Sequence, residues 1–91
     1  MSDGTIAVYF MSNKKDGTIY IGSSALLERR IFEHKTKVVK GFTAKYNLDK
    51  LVCVEACETL EQALILERRY KKYYRDWKIR LIEEKIQNGE I

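Results

Sequence analysis

The sequence predicts an α+β fold: a three-stranded antiparallel sheet flanked by helices, in the order β-β-α-β-α-α. Three observations carry that prediction. The run "TIAVYFMS" at positions 5–12 is continuously apolar rather than alternating, as expected of a strand covered on both faces. Asp16-Gly17 follows as a hairpin turn signal and leads into "TIYIG", a returning strand. After a third strand, "KLVCVEAC", Thr59 and Gln62 have the spacing of a capping box, which opens a helix.

The other elements fit between these. Gly22 ends the second strand, and Ser23 or Ser24 can cap a helix that runs to about Lys35. Residues 36–49 show no clean period and read as a basic connection. The capping-box helix extends to about Tyr74. "DWKIRLIEEKIQ" is a final helix, with Gly89 marking its end. With 91 residues and no internal repeat, the chain is expected to form one domain spanning 1–91, its helices packed on a single sheet.

Several function classes are disfavoured by composition. The longest apolar run near the start, "IAVYFM", is too short for a membrane span or a signal sequence, so a cytoplasmic protein without membrane contact is expected. Cys53 and Cys57 fall on one face of the third strand, about 13 Å apart at roughly 3.3 Å per residue. A disulfide needs Cα atoms within about 7 Å. Two cysteines and one histidine also make a poor zinc site. Free thiols in a reducing compartment are the expectation.

Charge is unevenly placed. Between positions 68 and 80, Arg68, Arg69, Lys71, Lys72, Arg75, Lys78 and Arg80 face only Asp76, so this stretch alone exceeds the chain's net charge of +4. Tyr70, Tyr73, Tyr74 and Trp77 interleave it. A second basic run holds Lys35, Lys37, Lys40, Lys45 and Lys50. Basic residues among aromatics suggest contact with a polyanion; a solvated helix face over an aromatic core is the plainer alternative. The candidate nucleic-acid contacts are Lys35, Lys37, Lys40, Lys45, Arg68, Lys71, Lys72 and Arg75.

Five polar residues break the apolar pattern. At 100° per residue, Leu60, Ala63, Leu64, Leu66, Tyr70, Tyr73, Tyr74 and Trp77 form one broad sector of the helix from Thr59, and Glu67 lies inside it. A carboxylate there is costly unless it is paired, hydrogen-bonded or metal-bound. Arg30 and His34, four residues apart, border the side of the first helix marked by Leu27 and Ile31, and can reach one common site. Tyr20 points away from Ile19 and Ile21, and Tyr9 sits in the partner strand. A structural Glu67–Arg30 ion pair is the simplest reading of the charged members.

"AVYF" followed by "TIYIGSSALLERRIFEHK" closely resembles the GIY-YIG nuclease superfamily, whose pattern is a G-I-Y-like tripeptide, about ten residues, Y-[IV]-G, and a helix carrying Arg and His. Tyr20-Ile21-Gly22 matches the second tripeptide, and Ala7-Val8-Tyr9 the first, with alanine where glycine is usual. "GFTAKYN" and "ALILERRYKKYYRDWKIRLIEE" look like stretches of small stand-alone bacterial members similar to the N-terminal nuclease domain of excinuclease C. Ser23 stands where excinuclease C has a lysine. The likeness runs from about Ile6 to Glu84.

The resemblance implies a metal-dependent DNA endonuclease, with roles in repair or recombination. Glu67 would hold a single Mg²⁺ or Mn²⁺ ion, and Tyr20 would be the general base that activates water. Tyr9 would hydrogen-bond in the same pocket, Arg30 would stabilise charge on the attacked phosphate, and His34 would orient groups or carry a proton. An unperturbed tyrosine, with a pKa of about 10, is a poor base at neutral pH; a nearby metal ion and guanidinium favour the phenolate. Family nucleases usually draw target choice from appended domains, so weak cutting without sequence preference is expected, by a monomer or a weak dimer. The alternative is a nucleic-acid-binding module that retains the fold with little or no cleavage.

Overall fold

The computed structural model describes residues 4–37 and 42–87. Three strands, β1 (Ala7–Ser12), β2 (Ile19–Ser24) and β3 (Lys50–Ala56), form an antiparallel sheet in the order β2-β1-β3. The helices are α1 (Leu27–Thr36), a short α2 (Phe42–Lys45), α3 (Leu60–Lys71) and α4 (Arg75–Gln87). The α+β class and the order read from the sequence hold. The one addition is α2, a single turn inside the expected connection, too short to show a helical period.

Central position explains the unbroken apolar run of β1. Every residue of the strand is buried, because the sheet is covered on both sides. On one face Val8, Phe10, Ile21 and Cys53 pack under Ala63, Leu66 and Tyr70 of α3 and Leu81 and Ile82 of α4. On the other, Ala7, Tyr9 and Met11 pack with Leu27 and Ile31 of α1 and with Leu48. A bulge in the β1–β3 register, between Phe10 and Met11, lets consecutive Val52 and Cys53 serve the same face. Cys53 and Cys57 are both free, and Cys57 lies just beyond the end of β3.

Local chemistry sets the element ends. In the β1–β2 turn Asp16 adopts the left-handed region at φ 57°, Gly17 N donates to Lys14 O at 3.0 Å, and Thr18 N donates to Asn13 Oδ1 at 3.0 Å. β2 does not stop at Gly22: Ser23 and Ser24 continue the ladder opposite Val8 and Ala7. The helix therefore starts later than the serines suggest, at Leu27, with Ser24 Oγ accepting from Leu26 N at 2.9 Å one step before it. Its start is tied to the chain ahead of β1, since the Glu28 carboxylate accepts from Thr5 N at 2.9 Å and from Thr5 Oγ1 at 2.6 Å.

The capping box opens α3 in a shifted form. Thr59 Oγ1 accepts from Gln62 N at 3.1 Å, while Gln62 Oε1 accepts from Glu58 N rather than from Thr59 N. At its other end the helix stops at Lys71, short of Tyr74. Lys72 N and Tyr73 N bond back three residues, to Arg69 O and Tyr70 O, and tighten the last turn. Tyr74 O then accepts from Trp77 N and Lys78 N, and α4 begins at Arg75 after an elbow at residues 72–74. The broad apolar sector projected from Thr59 is broken at this elbow. Of its members only Ala63 and Tyr70 are buried and Leu66 partly so, whereas Leu60, Leu64, Tyr74 and Trp77 are exposed.

Candidate active site

The face of the sheet under α1 gathers Tyr9, Tyr20 and His34. Tyr9 rises from the middle of β1, Tyr20 from β2 on the same face, and His34 from the last turn of α1. Their ring centroids form a near-even triangle, 6.2 Å between the tyrosines and 5.6 Å from each to the imidazole. The Tyr9 hydroxyl and His34 Nε2 are hydrogen-bonded at 3.0 Å.

Gly22 makes this triangle possible. It lies opposite Tyr9 in the ladder, and a Cβ added there would stand 2.7 Å from Tyr9 Oη and 2.9 Å from Tyr20 Cε2. The glycine two residues after Tyr20 is thus the opening across which the Tyr9 ring lies. Sequence spacing alone marks the tripeptide but not this steric reason for it.

Burial, and then the proximity of Tyr20, push the Tyr9 phenol well above the ordinary tyrosine range; the Arg30 charge opposes them without prevailing. Tyr9 is therefore a neutral phenol at neutral pH. His34 is shifted the other way: burial, followed by the Arg30 charge, lowers its pKa, so the ring is a neutral imidazole whose tautomer decides which partner donates in the bond to Tyr9.

Arg30 and Glu67 approach from opposite layers. Arg30 lies on α1, its side chain 45% exposed and 3.4 Å from Glu33. It borders an open groove of about 530 Å³ shared with Ser23, Leu26, Arg29, Leu60 and Leu64, beside the edge strand β2. Glu67 comes from α3, on the other side of the sheet, with its side chain only 19% exposed. Ser23 Oγ donates a short hydrogen bond to Glu67 Oε1, and Lys71 Nζ donates to Oε2 at 2.6 Å. Partial burial opposes ionisation of this carboxyl. The bonds from Lys71 and Ser23 and the charges of Lys71 and Arg68 outweigh it, so the pKa lies below the usual carboxylate range. The simple Glu67–Arg30 ion pair is not the arrangement found: Arg30 pairs with Glu33 and Glu67 with Lys71.

Ser23 is the polar partner of Glu67 that the sequence does not announce: neither its place as a possible helix cap nor its position after Gly22 points to this bond. The available signal was alternation: Ile19 and Ile21 place Ser23 on the α3 side of β2, where an apolar residue is the default.

The basic residues divide into two groups. Near the end of α1, Lys35 Nζ donates to Asp49 O at 2.9 Å, Lys37 Nζ donates to Asn47 Oδ1 at 2.6 Å, and Lys45 Nζ lies 5.5 Å from the Tyr46 ring centroid. Lys40 falls outside the described residues. On α3, Arg68 is exposed and Lys71 is held by Glu67, and Lys72, which caps the helix, is exposed. Arg75 is bound to the hairpin turn, its Nη2 donating to Asp16 O at 2.5 Å and Gly17 O at 2.6 Å.

Among the described residues no three His, Cys, Asp or Glu side chains come together, so a protein-only cage for a metal ion is not formed there. A single carboxylate nevertheless suits Mg²⁺, which keeps several waters and takes the rest of its ligands from substrate phosphates. Each Glu67 oxygen accepts one of the bonds just described, and an ionised carboxylate offers about four lone-pair positions in all. Glu67 therefore fits the part of a lone carboxylate ligand. No helix among the described residues is long and apolar enough to cross a membrane.

Comparison with known families places residues 5–80 in a match to the GIY-YIG catalytic domain. Neither the curated proteins nor the solved structures provide a match.

Proposed function

Since the chain belongs to the GIY-YIG catalytic domain family, a family of endonucleases with a nuclease-type fold that acts on DNA, we propose that it hydrolyses phosphodiester bonds in DNA with Tyr20 as general base. The observation that carries this reading is the Tyr9–Tyr20–His34 triangle beside Arg30 and Glu67 at the edge strand. Tyr20 is the better base of the two tyrosines, because Tyr9 is buried and held as a neutral phenol. Tyr9 fixes the imidazole through the 3.0 Å bond, and a neutral His34 can relay a proton. Arg30, always charged and half exposed in the groove, grips the oxygens of the attacked phosphate in the bidentate manner of a guanidinium.

Glu67 would hold Mg²⁺ or Mn²⁺, with Ser23 orienting its carboxylate. When bound, such an ion polarises the phosphoryl group and neutralises charge on the leaving oxygen. We further place the chain with the stand-alone members similar to the nuclease domain of excinuclease C, cutting nicked, branched or damaged DNA in cytoplasmic repair or recombination as a monomer or weak dimer.

Nicking of supercoiled plasmid with Mg²⁺ or Mn²⁺ tests this, with wild type beside Glu67→Ala from matched preparations. Metal-dependent nicking that disappears in the variant supports the reading; equal nicking by both sinks it. One observation favours the second reading, a binding module without cleavage: Lys71 already sits against the Glu67 carboxylate at 2.6 Å. Salt-sensitive DNA binding without nicking by wild type would decide for that module.

A further inference from the structure

The elbow between α3 and α4 carries aromatic surface that the site at β2 leaves unused. Tyr74 is 82% exposed and Trp77 54% exposed. The chain that carries them is packed on the core. Tyr70 packs edge-on against Phe10 at 5.7 Å, and Tyr73 packs edge-on against Tyr70 at 5.4 Å, so the elbow is rooted in the core. Arg75, the first residue of α4, ties it to the β1–β2 turn, next to the strand that carries Tyr20 and Ser23.

The same elbow is strongly basic. The Arg80 guanidinium lies 4.8 Å from the centre of the Trp77 ring. Arg68, Arg69 and Lys72 line an open groove of about 370 Å³ with Ile65 and Tyr73. Asp76 is the single acid between positions 68 and 82. Exposed rings alone would suit a protein partner, but rings set among this many cations call for a polyanion that also offers flat faces. An unpaired nucleic-acid strand meets both demands: its phosphates meet Lys and Arg, and its bases stack on aromatic side chains. A duplex keeps its base faces inside its own stack.

We infer that Tyr74 and Trp77 form a stacking platform for unpaired bases, so that the substrates favoured by this chain carry a single-stranded stretch beside the bond that is cut. The inference rests on the nuclease reading for the position of that bond. Glu67 lies within α3, one helical turn before its end at Lys71, and Tyr74 lies three residues past that end, so platform and proposed metal ligand are carried by one continuous stretch of chain.

Trp77 is the only tryptophan in the chain and reports the contact directly. The full chain is titrated with a short oligothymidylate, and separately with a blunt duplex of equal length, in EDTA while indole fluorescence is followed. The expected result is quenching by the single strand and little by the duplex. Tyr74→Ala should weaken single-strand binding roughly tenfold. Trp77→Phe and Trp77→Ala carry no indole, so they are followed by anisotropy of a dye-labelled oligothymidylate; Trp77→Phe should keep most of the affinity while Trp77→Ala loses it. Unaltered circular dichroism spectra would show that the exposed substitutions leave the fold intact. Equal quenching by duplex, or unchanged affinity in both alanine variants, overturns the inference. So does sedimentation showing that the free protein is a dimer which Tyr74→Ala dissociates, because the elbow would then be a self-interface. Plasmid nicking is assayed alongside. Robust nicking without single-strand preference leaves the nuclease standing and removes the platform; preference without nicking keeps the platform and removes the nuclease.

Discussion

Each face of the sheet buries a tyrosine within an aromatic cluster, and the two clusters differ in what surrounds them. Under α3 and α4, Tyr70 stacks edge-on between Phe10 and Tyr73, and burial, then the nearby Glu55 charge, pushes its phenol up to about 12. Under α1, Tyr9 is as deeply placed but touches His34, faces Tyr20 across the gap left by Gly22, and feels the charges of Arg30 and Glu67. Burial raises both phenols, so a displaced pKa does not separate a site from a core. The α1 face is distinguished by ionisable groups converging on it from three elements, β1, β2 and α1, with the Glu67 charge felt from beyond the edge strand.

The largest effect should come from removing the proposed base. Tyr20→Phe keeps the ring and its packing and deletes only the hydroxyl, so nicking should fall by about 10²- to 10⁴-fold, the usual contribution of a general base. Tyr70→Phe should leave nicking unchanged within about twofold, because its hydroxyl stands on the other side of the sheet from the cluster. Parallel plasmid assays check the pair, and a matched loss in both would erase the distinction between the faces.

Next in size is Gly22→Ala. The added methyl would lie 2.7 Å from the Tyr9 hydroxyl, well inside contact distance, and Tyr9 has no room to retreat at 1% exposure. Overpacking of this kind costs about 1–3 kcal/mol, readable in urea unfolding, and it should displace the Tyr9–His34 bond as well. A variant of wild-type stability would mean that the gap across β2 is wider than the ladder allows.

These substitutions mark what the sequence made legible. The continuous run of β1 gave away a doubly covered central strand, and Asp16-Gly17 and Thr59–Gln62 marked turn and helix start because those signals are local. Tyr9, Tyr20, Arg30, His34 and Glu67 stood out as polar residues on apolar faces. The bond from Ser23 to Glu67 joins residues 44 apart, and no local pattern announces it. The exposure of Leu60, Leu64, Tyr74 and Trp77 was hidden for a related reason: a helical wheel shows which residues share a side, but not where the helix ends or how much of that side a neighbour covers. Arg75 looked like one more cation in a basic run until its two carbonyl partners in the hairpin turn were seen.

A smaller effect separates the two buried hydroxyls. Tyr9→Phe removes the 3.0 Å bond to His34 Nε2, and should cost about 0.5–1.5 kcal/mol, the usual net worth of one hydrogen bond. Tyr70→Phe leaves the edge-on ring contacts in place and should cost less. Thermal unfolding of both at pH 7 orders them, and the reverse order would make the Tyr70 side the more polar of the two.

The slightest effect is one of slope, and it divides the faces by pH. A tyrosine raised by folding contributes stability that is whole below its unfolded pKa, about 10, and is lost as pH climbs toward the folded value. Tyr9 and Tyr70 both do this, so the alkaline limb belongs to both faces. His34 has the opposite sign. Its pKa is lowered by folding, so its contribution is whole above the unfolded value of about 6.5 and is lost as pH falls through the folded one. Glu67, also lowered, adds a second loss further down, beginning near the unfolded carboxylate value of about 4.3. Melting temperatures taken from pH 7.5 to 5 should therefore decline in wild type and in Tyr70→Phe alike, and decline less steeply in His34→Gln. Equal slopes in all three would mean that His34 does not titrate against the fold. The neutral imidazole assigned to the Tyr9 bond, and the proton relay that depends on it, would then have to be given up.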